Sequence, residues 1–294
     1  MNLTDRRKSR LADVALLYAA AIWGATFFVV KDSLATIDPV VLVGYRFLLA
    51  AAVLAIGLKI AKRPLFLYWK ESVQLGIILW ILYIAQTIGL KYTTASNSGF
   101  ITGLFVAFVP FFTLMMNRKA RILSQMPAVL LSLLGLLLLT GGLTDINKGD
   151  WLTMICAIAY AGHLLYADRF VKQGLDVYIL SFQQFLFVGL LSLLTAAVFH
   201  LPFVPTSMNA VGYVLFLALL PTLSAFILQL IAQKVVPPIR VSLILALEPV
   251  FAALFAWTLG GEAFILRRAL GGSLIFVAMI LSDLPAFLER HRKT

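Results

Sequence analysis

The chain of 294 residues is cut into apolar blocks of about twenty residues, separated by short connectors rich in basic and turn-forming residues. An α-helix rises about 1.5 Å per residue, so each block reaches across the roughly 30 Å of a bilayer's hydrocarbon layer. Inside that layer a backbone must satisfy its own polar groups, and a helix does so within one segment. The spacing predicts an all-α polytopic membrane protein with ten transmembrane helices at 11–31, 39–60, 71–91, 96–117, 124–142, 150–170, 178–200, 208–232, 238–259 and 267–288. No connector is long enough for a separate soluble domain. A soluble alternative fails on composition: 62% of residues are hydrophobic and 13% charged, against roughly half and about a quarter in soluble domains. That leaves too little polar surface to cover a core.

The first block follows Arg6-Arg7-Lys8-Ser9-Arg10, as a signal peptide would, but it runs long and lacks a clean small-residue cleavage site. It reads as a retained first helix. The single cysteine, Cys156, lies inside an apolar block, so there is no disulfide framework and the redox compartment stays open. A net charge of +11 raises the question of nucleic acid. The charges bracket apolar spans instead of forming one stripe, and that excludes it. With an even number of spans both termini share a side. On the N-terminal side the connectors and ends carry 18 lysines and arginines, against 5 on the other. Basic residues collect in the cytoplasm, so the expectation is two cytoplasmic termini.

The two halves resemble each other. Asp38 to Ala51 and Asp176 to Gly189 share Asp, Leu, Phe and Leu in register. Offset by 143, the stretch Gln86–Phe108 meets Gln229–Phe251 with six identical pairs, among them Gln86/Gln229 and Leu104/Leu247. Five spans per half is an odd number, so the second unit (150–288) is expected upside down relative to the first (11–142). Inverted repeats are a frequent plan for secondary transporters, whose substrates sit near the midplane between the halves.

Several runs carry a family likeness. Trp23-Gly24-Ala25-Thr26-Phe27-Phe28-Val29-Val30-Lys31 resembles the opening of EamA-type members of the drug/metabolite transporter superfamily. Tyr45-Arg46-Phe47 fits the arginine–aromatic step of that family's second helix. Gly99–Pro110 resembles its fourth helix, and Ser242–Gly261, with Leu247-Glu248-Pro249-Val250-Phe251 inside it and Glu262 beyond, its ninth. The resemblance runs over essentially the whole chain. It implies a five-plus-five exporter of small molecules in a bacterial inner membrane, and within the superfamily the chain looks most like the YddG-type amino-acid exporters.

Polar and aromatic residues deep in the spans are the candidate site. A charge at the bilayer centre costs about 2.5–3.5 kcal/mol on insertion scales, so Arg46 and Glu248 must face the bundle, water or a partner. Arg46 reads first as a structural charge, snorkelling outward or tying helices together through backbone carbonyls. Glu248 reads equally as a hydrogen-bonded core acid or as a pathway carboxylate. Gln86 and Gln229 occupy equivalent points in spans three and eight, either as helix–helix glue or as a cavity-lining pair. Trp80, Tyr83, Gln86 and Thr87 share a face at 100° per residue. Tyr160, His163 and Tyr166 form a similar stripe on span six, where Trp23 aligns with Tyr160. His163 reads either as a satisfied core histidine or as a proton carrier. Trp69, Trp151 and Trp257 lie toward span ends, as interfacial anchors do. Pro110, Pro221 and Pro249 fall inside spans, where each removes a backbone donor and invites a hinge.

These patterns favour a solute exporter working by alternating access, with the lipid bilayer as its surroundings. The alternatives are an intramembrane enzyme, a passive channel, or a multidrug exporter of the same fold. The sequence holds no HExxH, no paired aspartates suited to intramembrane proteolysis, and no GxSG. Its histidines, His163, His200 and His291, are far apart. No ring of like charges marks a channel filter. With no phosphate-binding glycine loop, neither a nucleotide nor any other cofactor is expected; protein partners are unspecified. Glu248 and His163 are the titratable deep residues. One carboxylate without an acidic neighbour is thin equipment for a proton relay, which favours downhill flow over proton coupling.

Overall fold

The computed structural model describes residues 3–115, 122–140, 147–258 and 264–281. Among these there is no strand. The helices are α1 (Leu3–Ser33), α2 (Pro39–Ile60), α3 (Trp69–Gly89), α4 (Ala95–Gly103), α5 (Phe105–Met115), α6 (Ile122–Thr140), α7 (Lys148–Lys172) and α8 (Val177–Val198). They continue with α9 (Asn209–Leu217), a π-helical turn (Ala218–Ala225), α10 (Phe226–Gln233), α11 (Pro238–Leu245), α12 (Glu248–Thr258) and α13 (Leu266–Leu281). Arg118, Lys119, Arg121, Glu262, Arg290, Arg292, Lys293 and the predicted span ends at 116–117, 141–142, 259 and 282–288 lie outside the described residues.

Seven helical stretches are long and apolar enough to cross a membrane: Arg7–Ser33, Pro39–Ile60, Trp69–Gly89, Asn97–Met115, Val177–Val198, Asn209–Gln233 and Pro238–Phe255. Ten were expected. Of the other three, α7 carries Asp150, Asp168, Arg169 and Lys172 at its ends, which dilutes its apolar character. The apolar parts of spans five and ten are the shorter Met126–Leu138 and Ala269–Ala278.

Three predicted spans are interrupted. Span four breaks at Leu104, where Leu104 N–H and Ala107 N–H reach back only three residues, to Ile101 and Leu104. Span nine breaks at Ala246-Leu247, because Pro249 has no N–H and its ring crowds the carbonyl of Leu245. Leu104 and Leu247 are partners in the repeat, so the two halves break at matching points. Span eight widens into the π turn around Pro221. Pro110, by contrast, lies within α5 and interrupts nothing.

Repetition extends to the ends of α2 and α8. Asp38 accepts from the amides of Val40 and Val41, and Asp176 from those of Tyr178 and Ile179, capping each helix start. Lys62 (φ 52°) and His200 (φ 51°) both turn left-handed at the far ends. The amides of Arg63 and Leu201 then close six-residue rings onto Leu58 and Ala196, at 2.9 and 2.8 Å. Each residue named here is 138 positions from its counterpart.

The halves meet in a reciprocal pattern. The α2 helix packs on α8 and α6 on α13, each with its own counterpart; α3 packs on α7, as α10 does on α1. The α2–α8 pair runs antiparallel: a Cβ at Gly44 would strike Leu193, and one at Gly189 would strike Leu48. Hydrogen bonds repeat the relation. Tyr45 Oη donates to the Phe203 carbonyl at 2.9 Å and Gln183 Nε2 to the Leu65 carbonyl at 3.0 Å. Each donor and each acceptor is again 138 residues from its counterpart.

Polar ties sort by face. On the face of the α1 N-terminus, Arg63 pairs with Asp176 and Arg240 with Asp13, each at 2.7 Å. On the opposite face Lys31 donates to the carbonyls of Leu90 and Thr93, and Lys148 lies over the ring of Tyr92.

Candidate functional site

At the centre α1, α3, α7, α10 and α12 converge on a small space lined by Trp23, Thr26, Leu82, Tyr83, Gln86, Tyr160, Phe226 and Glu248. Its volume is about 20 Å³, enough for about one water. Five of the residues singled out in the sequence are brought together here: Trp23, Tyr83, Gln86, Tyr160 and Glu248.

Local breaks in the helices position them. Pro221 cannot donate to the carbonyl of Leu217, four residues back. The Thr222 hydroxyl does so instead, at 2.7 Å, and also accepts from Arg46 Nε at 2.9 Å. The Pro221 carbonyl accepts from the indole N–H of Trp23 at 2.8 Å, which fixes that ring. Trp23 stands edge-on to Tyr160 and Phe226, with ring centres 6.1 and 5.1 Å away, and Tyr160 stacks on Phe105 at 4.2 Å. The break at Ala246-Leu247 makes Glu248 the first residue of α12. Gly24 allows α1 to approach it closely, since a Cβ there would lie 2.7 Å from the Glu248 carbonyl oxygen. Gln86 donates to Thr102 Oγ1 on α4 at 3.1 Å.

Arg46 is 2% exposed. It neither snorkels nor reaches carbonyls, as the sequence reading allowed. Its guanidinium sits 4.8 Å from the ring centre of Tyr83 and 5.5 Å from that of Phe47, with Thr222 as a hydrogen-bonded partner. This charge is accommodated by aromatic faces and a hydroxyl.

Trp80, His163 and Gln229 do not line the space. His163 Nε2 lies 2.9 Å from Gln184 Oε1, with its ring edge-on to Phe226. Gln229 Nε2 donates weakly to Gln233 Oε1 at 3.4 Å, and Gln233 ties α10 to the Leu164 carbonyl. Trp80 packs on the main core with its indole N–H unpartnered. Thr26, Leu82 and Phe226 line the space without having been singled out. A phenylalanine or leucine in an apolar span carries no signal that separates it from core; Phe226 had only its proximity to Gln229.

A larger cavity of about 340 Å³ opens between α4 and α6, lined by Phe100, Ile101, Leu104, Leu133, Leu134, Leu136 and Leu137. Among the described residues every side chain that lines it is apolar. Among the described residues no cluster of histidine, cysteine and acidic side chains could hold a metal.

Comparison with known proteins agrees with this architecture. The profile of the EamA-like transporter family matches residues 10–141 and again 147–282. An uncharacterized transporter of Archaeoglobus fulgidus is 29% identical, over 94% of this chain and 87% of its own length. The inner membrane transporter YedA of Escherichia coli K12 is 25% identical (93% and 91%). An S-adenosylmethionine/S-adenosylhomocysteine transporter of Chlamydia muridarum is 24% identical (83% and 83%). A crystal structure superposes with a TM-score of 0.78 over 96% of this chain and 99% of that one, at 20% identity, a likeness of fold alone.

Proposed function

The chain belongs to the EamA-like transporter family, and on that premise we propose that it is a ten-helix exporter of small metabolites, foremost neutral and aromatic amino acids, resident in a bacterial inner membrane with both termini cytoplasmic. In this reading the units 11–142 and 150–288 are inverted repeats that rock about the central space, exposing it to one face and then the other. Trp23, Tyr83, Gln86, Tyr160 and Glu248 contact the cargo. Arg46 and His163 hold the surrounding helices, as do Gln229 and Trp80. The observation that carries the reading is the site itself: aromatic bodies with polar tips, and one carboxyl group, where the reciprocal helix packing of the two halves converges. Such a surface suits a molecule with an apolar body and a polar end. The Chlamydia relative is named for the transport of two small molecules, S-adenosylmethionine and S-adenosylhomocysteine, which supports a small-molecule cargo. The YddG-type reading in particular rests on sequence likeness, since the relatives above bear no amino-acid exporter's name. Flow is downhill, with Glu248 outside any proton relay. An enzyme is disfavoured by the family, whose relatives are named as transporters.

The test is efflux from proteoliposomes loaded with a panel of amino acids and dyes, with and without a pH gradient. Saturable efflux of neutral amino acids, insensitive to the gradient and lowered severalfold by Tyr83→Ala at equal protein content, is the expected result. Efflux no faster than from protein-free vesicles for every compound would overturn the reading.

A further inference from the structure

Three acidic side chains are buried among the described residues: Asp150, Asp168 and Glu248. The first two are provided for. Asp150 accepts from Thr93 Oγ1 at 2.6 Å and Asn97 Nδ2 at 3.1 Å, and Asp168 pairs with Lys172. Glu248 is not. It is 5% exposed, and its Oε2 is buried with no hydrogen-bond partner. An isolated carboxylate in apolar surroundings costs several kcal/mol unless something neutralises it. The hydroxyl of Tyr160, which lines the same space, is also buried without a partner.

Besides Thr26, Leu82 and Gln86, the space around Glu248 is lined by four aromatic residues: Trp23, Tyr83, Tyr160 and Phe226. Ring faces carry the negative lobe of the quadrupole and attract cations. An acidic group beside four aromatic side chains favours positive charge in the space over negative. The opposite sign lies just outside. Arg46 already occupies a face of Tyr83, at 4.8 Å, so a second cationic group directed that way meets repulsion, whereas a carboxylate does not.

We propose that Glu248 with Trp23, Tyr83, Tyr160 and Phe226 is a receptor for a single cationic centre on the cargo, a primary or methylated ammonium or a sulfonium, the rest of the cargo being neutral or zwitterionic. The proposal rests on the transport reading for its physiological setting and assigns Glu248 to charge recognition. The space of about 20 Å³ must widen to admit such a group, which the parting of the halves supplies.

The test reads binding rather than flux. Thermal unfolding of the full chain in detergent is followed with four compounds of one shape: phenylalanine, phenethylamine, 3-phenylpropionate and 2-phenylethanol. The first two should bind roughly tenfold more tightly than the last two, as expected for a desolvated cation–carboxylate contact. In Glu248→Gln that difference should collapse, with 2-phenylethanol unaffected; Glu248→Asp should retain its sign. If Glu248→Gln fails to fold, the wild-type series decides alone. Equal affinities, a preference for 3-phenylpropionate, or stabilisation by none of the four would overturn the proposal. Cation-selective binding without efflux would sustain the receptor and remove the export reading. Efflux with no charge preference in binding would do the reverse.

Discussion

The chemistry of the centre depends on a hydroxyl in two bonds at once. Thr222 replaces the N–H that Pro221 lacks and, through the same oxygen, accepts from a buried guanidinium. Thr222→Val would leave the Leu217 carbonyl short of a donor and Arg46 short of an acceptor. It should cost about 2 kcal/mol, as for a buried bond to a charged group, while Thr222→Ser stays near wild type. Thermal unfolding in detergent measures both, and a valine variant as stable as wild type would contradict this account of Arg46. Nothing in the sequence marks Thr222 as a partner of Arg46, which is 176 residues away; proximity of that kind is a product of tertiary packing. Other features were legible. Polar or aromatic groups at mid-span are conspicuous in hydrocarbon, and five of them meet around the central space. Trp80 and His163 were equally conspicuous but point elsewhere. Helical periodicity says which residues share a face without saying which face looks inward.

Pattern and propensity read whole helices well and their interruptions poorly. Asp38 and Asp176 stand where N-caps belong, and the structure uses both. The break before Glu248 follows from Pro249, yet its counterpart at Leu104 has no proline nearby to announce it. The long first helix also runs back through the basic stretch at its N-terminal end. Close approach between helices was likewise visible only in part. Gly24 lies within a recognisable motif, but its need follows from the α12 backbone standing against it. Gly24→Ala should push α1 from Glu248 at a cost of about 1–3 kcal/mol, lowering efflux while the protein still reaches the membrane. Gly57 faces open space, so Gly57→Ala should be neutral or stabilising by about 0.5–1 kcal/mol. Parallel melts of the two variants check the contrast; equal effects would mean that the α1–α12 contact is not tight.

For the whole molecule, the family match falls twice along the chain, and the packing is reciprocal across the halves. Repetition was readable because the registered matches include caps and polar side chains, which random apolar helices would not align. How the halves lock together was not readable, since the Gly44–Leu193 and Gly189–Leu48 contacts involve residue types found throughout membrane helices. The proposed orientation in the membrane rests on the bias of basic residues and can be checked directly. On a Cys156→Ser background, a cysteine at Tyr92 should react with an impermeant maleimide added to intact cells. One at Lys62 should react only after permeabilisation. The reverse pattern would turn the molecule over.

The paired ties Tyr45–Phe203 and Gln183–Leu65 close opposite faces by the same device. Under the rocking motion proposed above, opening either face gives up one bond of this pair, about 1 kcal/mol, and leaves the other intact. In this pair of latches the two open forms stand level, as the two pans of a balance do, and any tilt comes from the unlike charged ties of the two faces. A machine built this way has little direction of its own. In the downhill reading, which way material flows is decided by the concentrations on either side, and a weakened latch would tilt the resting position without stopping the swing.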